Sequence, residues 1–106
     1  LAFEHFLHAN PRRALKVRLL LRGMVPNARP DDYRACRREV VGLIGRINQR
    51  FPNAIHFEER QELDLVERLA LWSVADVLLV TSVREGLNLM PLEFMMTREQ
   101  RPGAIV

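Results

Sequence analysis

Residues 76–93 read DVLLVTSVREGLNLMPLE, and the fold is decided there. Val77, Leu78, Leu79 and Val80 form a continuous apolar run, followed by Thr81 and Ser82 and then by the tight turn Arg84-Glu85-Gly86. A short apolar run bounded by turn signals predicts a strand buried on both faces, as in a parallel sheet. An amphipathic helix is expected from Asn88 to about Arg98. Residues just past the carboxyl end of such a strand lie where open α/β sheets bind ligands. Gly86 lacks a Cβ and permits close approach of backbone to a ligand. The amides of Leu87, Asn88 and Leu89, at the expected helix N-terminus, would suit an anion. Glu85 and Glu93 flank this turn, eight positions apart.

Outward from that stretch, strands and helices alternate. Residues 1–10 carry a helical stripe of Leu1, Phe3, Phe6 and Leu7, stopped by Asn10-Pro11. Residues 16–22 (KVRLLLR) read as the first strand, and residues 23–30, with one glycine and two prolines, as a loop. Asp31 and Asp32 supply an N-cap and an acidic first turn for a long helix. Its stripe is Tyr33, Cys36, Val40, Leu43 or Ile44, and Ile47, with Arg34, Arg37 and Arg38 facing water. Gly42 and Gly45 weaken that helix or mark close packing. Phe51-Pro52-Asn53 breaks it. Residues 54–57 (AIHF) are a short strand, residues 58–62 a charged loop, and residues 63–74 a helix with Leu65, Val66, Leu69, Trp72 and Ser73 on one side. A last strand starts at Gly103. The order α-β-α-β-α-β-α-β predicts a Rossmann-like, doubly wound parallel sheet.

The chain has 106 residues, 48% of them hydrophobic, enough for one compact domain over residues 1–106. It opens in helical rhythm without Met and closes on an apolar strand, so an excerpt incomplete at both ends is expected. A single cysteine, Cys36, excludes an internal disulfide and is expected to be inert on an apolar helix face. No run reaches the roughly 18 apolar residues of a membrane helix. The net charge of +3 reflects fifteen arginines and one lysine against thirteen acids. Without an aromatic-basic motif these arginines read as a solvated face, not a nucleic-acid surface. His5 and His8 lack a third metal ligand and are expected at the surface. His56 reads as a packed or strand-end residue. Trp72, Met90, Met95 and Met96 read as core filler.

Three segments together resemble a known family. VADVLLVTSVREGLNLMPLEF (residues 74–94) is similar to the donor-nucleotide segment of the trehalose-6-phosphate synthases, where a strand leads into an R-D-G-M-N-L turn and a helix. LAFEHFLHANPRRALKVRLLLRGMVP (residues 1–26) resembles that family's helix, strand and proline-containing loop. YRACRREVVGLIGRINQRF (residues 33–51) resembles its long helix with a G-R-I-N ending. The resemblance implies the C-terminal, donor-binding half of a GT-B glycosyltransferase, retaining and needing no metal or other cofactor. Such an enzyme moves glucose from UDP-glucose to glucose-6-phosphate, giving trehalose-6-phosphate. By the same resemblance Glu85 contacts the donor sugar, Gly86, Leu87, Asn88 and Leu89 cradle the sugar and diphosphate, and Glu93 holds the ribose hydroxyls. A carboxylate can accept two hydrogen bonds from a vicinal diol, which agrees with that last role.

The pattern departs from the family at three places. Glu85 stands for the usual aspartate, adding a methylene where the sugar is positioned, although related transferases use Glu-x7-Glu. Leu87 stands for methionine. Met90-Pro91-Leu92 stands for V-A-K, which is closer to plant synthase-like proteins, and Pro91 suits a first helical turn. The phosphate-neutralising Arg and Lys of the family fall before Leu1, so these residues by themselves are not expected to turn over substrate. The partners implied are the two substrates, an N-terminal acceptor half and possibly a phosphatase domain, in the cytoplasm, with neither nucleic acid nor membrane. The alternatives are a catalytically silent regulatory or scaffolding module and another nucleotide-sugar transferase of the same fold.

Overall fold

The computed structural model describes residues 1–26, 29–82 and 86–106. In chain order the elements are α1 (Ala2–Ala9), α2 (Pro11–Ala14), β1 (Leu19–Met24), α3 (Pro30–Arg50), β2 (Ile55–Arg60), α4 (Leu65–Val74), β3 (Val77–Leu78), α5 (Met90–Thr97) and β4 (Ala104–Ile105). Both strand pairings, β1 with β2 and β3 with β4, are parallel. The class is therefore α/β with parallel strands, as the alternation predicted. The four strands form two two-stranded sheets. The residues fall into two compact units, Leu1–Glu62 and Leu63–Val106. No helix among the described residues is long and apolar enough to cross a membrane.

In the first unit Leu7, Ala14, Ile47, Ala54 and Ile55 form the core, with Phe3, Phe6, Leu19, Leu43, Ile44 and Phe51 packed on it. Full burial of side chains such as Leu7 and Ile47 contributes about 1.5–3 kcal/mol each. A two-point clip joins the end of α3 to the start of β2. Asn48 Nδ2 donates to the Ile55 carbonyl at 2.8 Å, and the Ile55 amide donates to Asn48 Oδ1 at 2.9 Å. The G-R-I-N ending thus places Asn48 where it fixes the strand.

Several boundaries differ from the sequence reading. Pro11 starts a second short helix instead of only ending the first, because proline at N1 loses no intrahelical bond. The first strand begins at Leu19, where Leu19 meets Ile55, and runs through Gly23 to Met24. The charged stretch after Phe57 is strand, not loop. Arg22 faces Glu58 in register and forms an ion pair with it, while Glu59 is met by α3, so charged side chains have partners there. The cap of α3 is Arg29, at φ 54°, with Pro30 in the first turn beside Asp31 and Asp32. Cys36 is exposed, so the α3 stripe is buried only toward its C-terminal half, at Ile47. Among the described residues a Cβ at Gly42 or Gly45 would meet nothing within 4 Å, so neither marks close packing there. Asn53, at φ 58°, makes the turn after Pro52, a conformation asparagine tolerates.

In the second unit Asp64 caps α4 by accepting the Val66 amide at 3.3 Å. Parallel pairing continues past β3: the Val106 amide donates to Leu78 and the Val80 amide to Val106. Strand burial on both faces was expected, yet Val77 and Leu79 are about half exposed in this two-stranded sheet. Phe94 is the buried hydrophobic residue of this unit among those described. Gly103 lies against it so closely that an added Cβ would stand 2.5 Å from Phe94 Cζ. Arg98, 3% exposed, donates to the Ser73 carbonyl at 2.9 Å and lies over the Phe94 ring, tying the ends of α4 and α5 together. Met95 and Met96 are exposed and Met90 is 42% exposed, so the methionines are not core filler.

Candidate functional site

After the strand that begins with β3, the chain passes Thr81 and Ser82 and re-enters the described residues at Gly86. Glu85 was expected at the donor sugar, and it lies outside the described residues. Gly86, Leu87, Asn88 and Leu89 form an exposed or half-exposed loop leading into α5. The helix starts at Met90, two residues later than expected, because the Asn88 side chain takes the first helical amide. Met90 N donates to Asn88 Oδ1 at 3.0 Å, an Asx turn.

The first turn of α5 itself offers few donors. Met90 is engaged by Asn88, Pro91 has no N–H, and the Glu93 amide donates to the Leu89 carbonyl at 3.0 Å. A Cβ at Gly86 would meet nothing within 4 Å among the described residues.

Glu93 stands on the first turn of α5 and faces α4. Arg68 Nε donates to its Oε2 at 2.7 Å and Arg68 Nη2 to its Oε1 at 3.0 Å. This is a two-pronged, charge-assisted pair, the strong geometry for guanidinium and carboxylate. Trp72, one helical turn beyond Arg68, donates its indole N–H to Oε2 at 3.4 Å. The indole is held edge-on against Phe94, with centroids 6.0 Å apart at 86°. Arg68 also reaches the Leu63 carbonyl at 3.4 Å. The Arg68 guanidinium holds the Glu93 carboxyl below the usual carboxylate range; partial burial opposes this and the Trp72 N–H assists it. Glu93 raises the Arg68 pKa in turn. At neutral pH the pair is ionised.

Arg68, Glu93 and residues 86–90 line an open cavity of about 370 Å³. The lining of this cavity thus includes Gly86, Leu87, Asn88, Leu89 and Glu93. The structure adds two residues that the sequence reading missed. Trp72 was taken as core filler, but it is half-buried and donates to Glu93. Arg68 was not singled out, although it is the lone cation of α4 and stands four residues before Trp72, a spacing that puts both on one face. A second concavity of about 240 Å³ lies around Arg98 at the far end of α5 and shares no residue with this one. Among the described residues no cluster of acids, histidines and cysteine could hold a metal ion. His5 and His8 are exposed, and so is His56, which stands 3.5 Å from Glu58.

The sequence profile of glycosyltransferase family 20 matches residues 1–106. The chain belongs to this family. It is 38% identical over 110 residues to the probable UDP-forming alpha,alpha-trehalose-phosphate synthase 2 of Arabidopsis thaliana, covering 100% of this chain and 13% of that protein. It is 38% identical to the UDP-forming alpha,alpha-trehalose-phosphate synthase of Schizosaccharomyces pombe, covering 99% of this chain and 21% of that one. Among solved structures it is similar to a UDP-forming alpha,alpha-trehalose-phosphate synthase from Burkholderia xenovorans. That likeness has a TM-score of 0.87 at 28% identity and covers 98% of this chain and 24% of that chain. The chain therefore spans between an eighth and a quarter of the length of these family 20 relatives.

Proposed function

We propose that this chain forms the donor side of a retaining, metal-independent glycosyltransferase of trehalose biosynthesis. The enzyme would transfer glucose from UDP-glucose to glucose-6-phosphate, giving trehalose-6-phosphate and UDP. The observation that carries this reading is the cavity in which an ionised, clamped Glu93 faces the 86–89 loop. It is supported by relatives whose names state a UDP-forming synthase.

In this reading the loop backbone of Gly86, Leu87 and Leu89 receives the diphosphate, and Glu93 accepts from the ribose. Glu85 addresses the donor sugar by resemblance alone. Arg68 is engaged with Glu93, so the cations that neutralise the leaving diphosphate come from other residues of the enzyme. Such charge stabilisation is a large part of transfer catalysis. The acceptor half and any phosphatase domain also lie outside these residues. The setting proposed is the cytoplasm, where both substrates are small soluble phosphates.

The direct test is UDP release from UDP-glucose by the full-length protein, with and without glucose-6-phosphate. Release that depends on glucose-6-phosphate is expected. A folded protein that binds UDP without turnover would point to a silent, regulatory member of the family, which the Met90-Pro91-Leu92 departure already resembles.

A further inference from the structure

The loop at residues 86–89 has little packing of its own. Leu87 is 87% exposed and Leu89 54%, and among the described residues a Cβ at Gly86 would meet nothing within 4 Å. A segment with few apolar contacts keeps its shape through hydrogen bonds or belongs to the least stable part of a fold. Pro91, in the first turn of α5, has no N–H with which to reach back to the loop. The Met90 amide reaches back to Asn88 Oδ1 at 3.0 Å, and the Glu93 amide to the Leu89 carbonyl at 3.0 Å. The second is a backbone bond that any residue at position 89 would supply. The first depends on one side chain, that of Asn88, which is half-buried in the lining of the cavity.

We propose that Asn88 is a positioning residue: its side-chain carbonyl, by holding the Met90 amide, sets the backbone of residues 86–89 along the cavity that this loop lines. The proposal rests on the donor-site reading above and deepens it. The affinity of the cavity for a nucleoside diphosphate then depends on a side chain that acts through the backbone and does not touch the ligand. Without the bond the loop samples other conformations, and a ligand has to order it on binding. What the bond requires at position 88 is a side-chain oxygen. Serine offers one with a weaker hold, and alanine offers none.

The experiment measures UDP affinity by calorimetry and hydrogen exchange in a peptide covering residues 86–92. It uses the full-length protein, Asn88→Ala and Asn88→Ser. In Asn88→Ala the peptide is expected to exchange faster and UDP to bind about tenfold more weakly. That is about 1.4 kcal/mol, the scale of ordering one residue of backbone. In Asn88→Ser both changes are expected to be smaller, with affinity about threefold below that of the unaltered protein.

A merely structural cap would lower the melting temperature and leave UDP affinity alone, so unchanged affinity in Asn88→Ala overturns the proposal. So does weaker UDP binding with exchange as slow as in the unaltered protein, which would mean that the carboxamide touches the ligand. Failure of the unaltered protein to bind UDP removes the donor-site reading, and this inference with it. Should Asn88→Ala not fold, Asn88→Ser decides. Affinity and exchange that move together support the positioning role, and either one moving alone, or neither moving, overturns it.

Discussion

Glu59 in β2 and Glu93 in α5 are each gripped by an arginine and an aromatic donor. Arg37 and Tyr33 hold the first, and Arg68 and Trp72 hold the second. In both cases the guanidinium holds the carboxyl below its usual range. They differ in where they stand. Arg37 Nε lies 2.8 and 2.7 Å from the two oxygens of Glu59, Nη2 lies 2.7 Å from Oε2, and the Tyr33 hydroxyl donates to Oε1. Both oxygens of Glu59 are engaged, and its clamp serves to join α3 to β2. Glu93 lines a cavity beside a glycine-containing loop. A clamped glutamate by itself is thus a structural device, and it becomes a candidate binding group only where an acceptor faces open space.

The two units also differ in how they are held. Among the described residues the first has five buried apolar residues, and the second has Phe94. The largest expected effect is therefore Phe94→Ala, which should cost about 3–5 kcal/mol in urea unfolding. Because Trp72 leans on that ring, the same change should weaken UDP binding. Ile47→Ala, costing about 2–5 kcal/mol in the first unit, should leave UDP affinity unchanged. Equal loss of affinity in both would break the comparison.

Asn48→Ala comes next. It strands the Ile55 amide and carbonyl beside the core and should cost about 2 kcal/mol, again without altering UDP affinity.

The two clamps should share one pH signature. Each glutamate has a folded pKa below its unfolded value, so the unfolded chain binds more protons and stability rises with pH in that window. The contribution is complete above the ordinary glutamate value of about 4.3 and is lost as pH falls through the lowered folded values. Urea midpoints of Glu59→Gln and the unaltered protein should therefore converge toward low pH. A gap that widens on acidification would contradict the clamp. The smallest effect is a gain: Gly42→Ala in the exposed middle of α3 should stabilise by about 0.5–1 kcal/mol, since its Cβ meets nothing.

The alternation of apolar runs with helical stripes was legible in the sequence, because periodicity reports local structure directly. The 86–89 loop and Glu93 were legible as a candidate site because glycine, turn residues and an acid fall at the end of an apolar strand. Strand extents were not. Residues 58–60 look like loop until Arg22 and the α3 side chains supply partners for their charges. Arg68 was hidden because its partner lies 25 residues away in α5, and one charge in an apolar helix reads as solvated until that helix has a neighbour. The late start of α5 was hidden for a smaller reason: Asn88 can extend a helix or cap one, and only its Oδ1 contact with Met90 decides.

The measurement that bears most directly on the central claim is UDP calorimetry on the full-length protein beside Glu93→Ala and Glu59→Ala. Binding that falls by about tenfold to a hundredfold in Glu93→Ala, and stays unchanged in Glu59→Ala, is the predicted result. No loss in Glu93→Ala, or an equal loss in both variants, would contradict Glu93 as a nucleotide-binding residue.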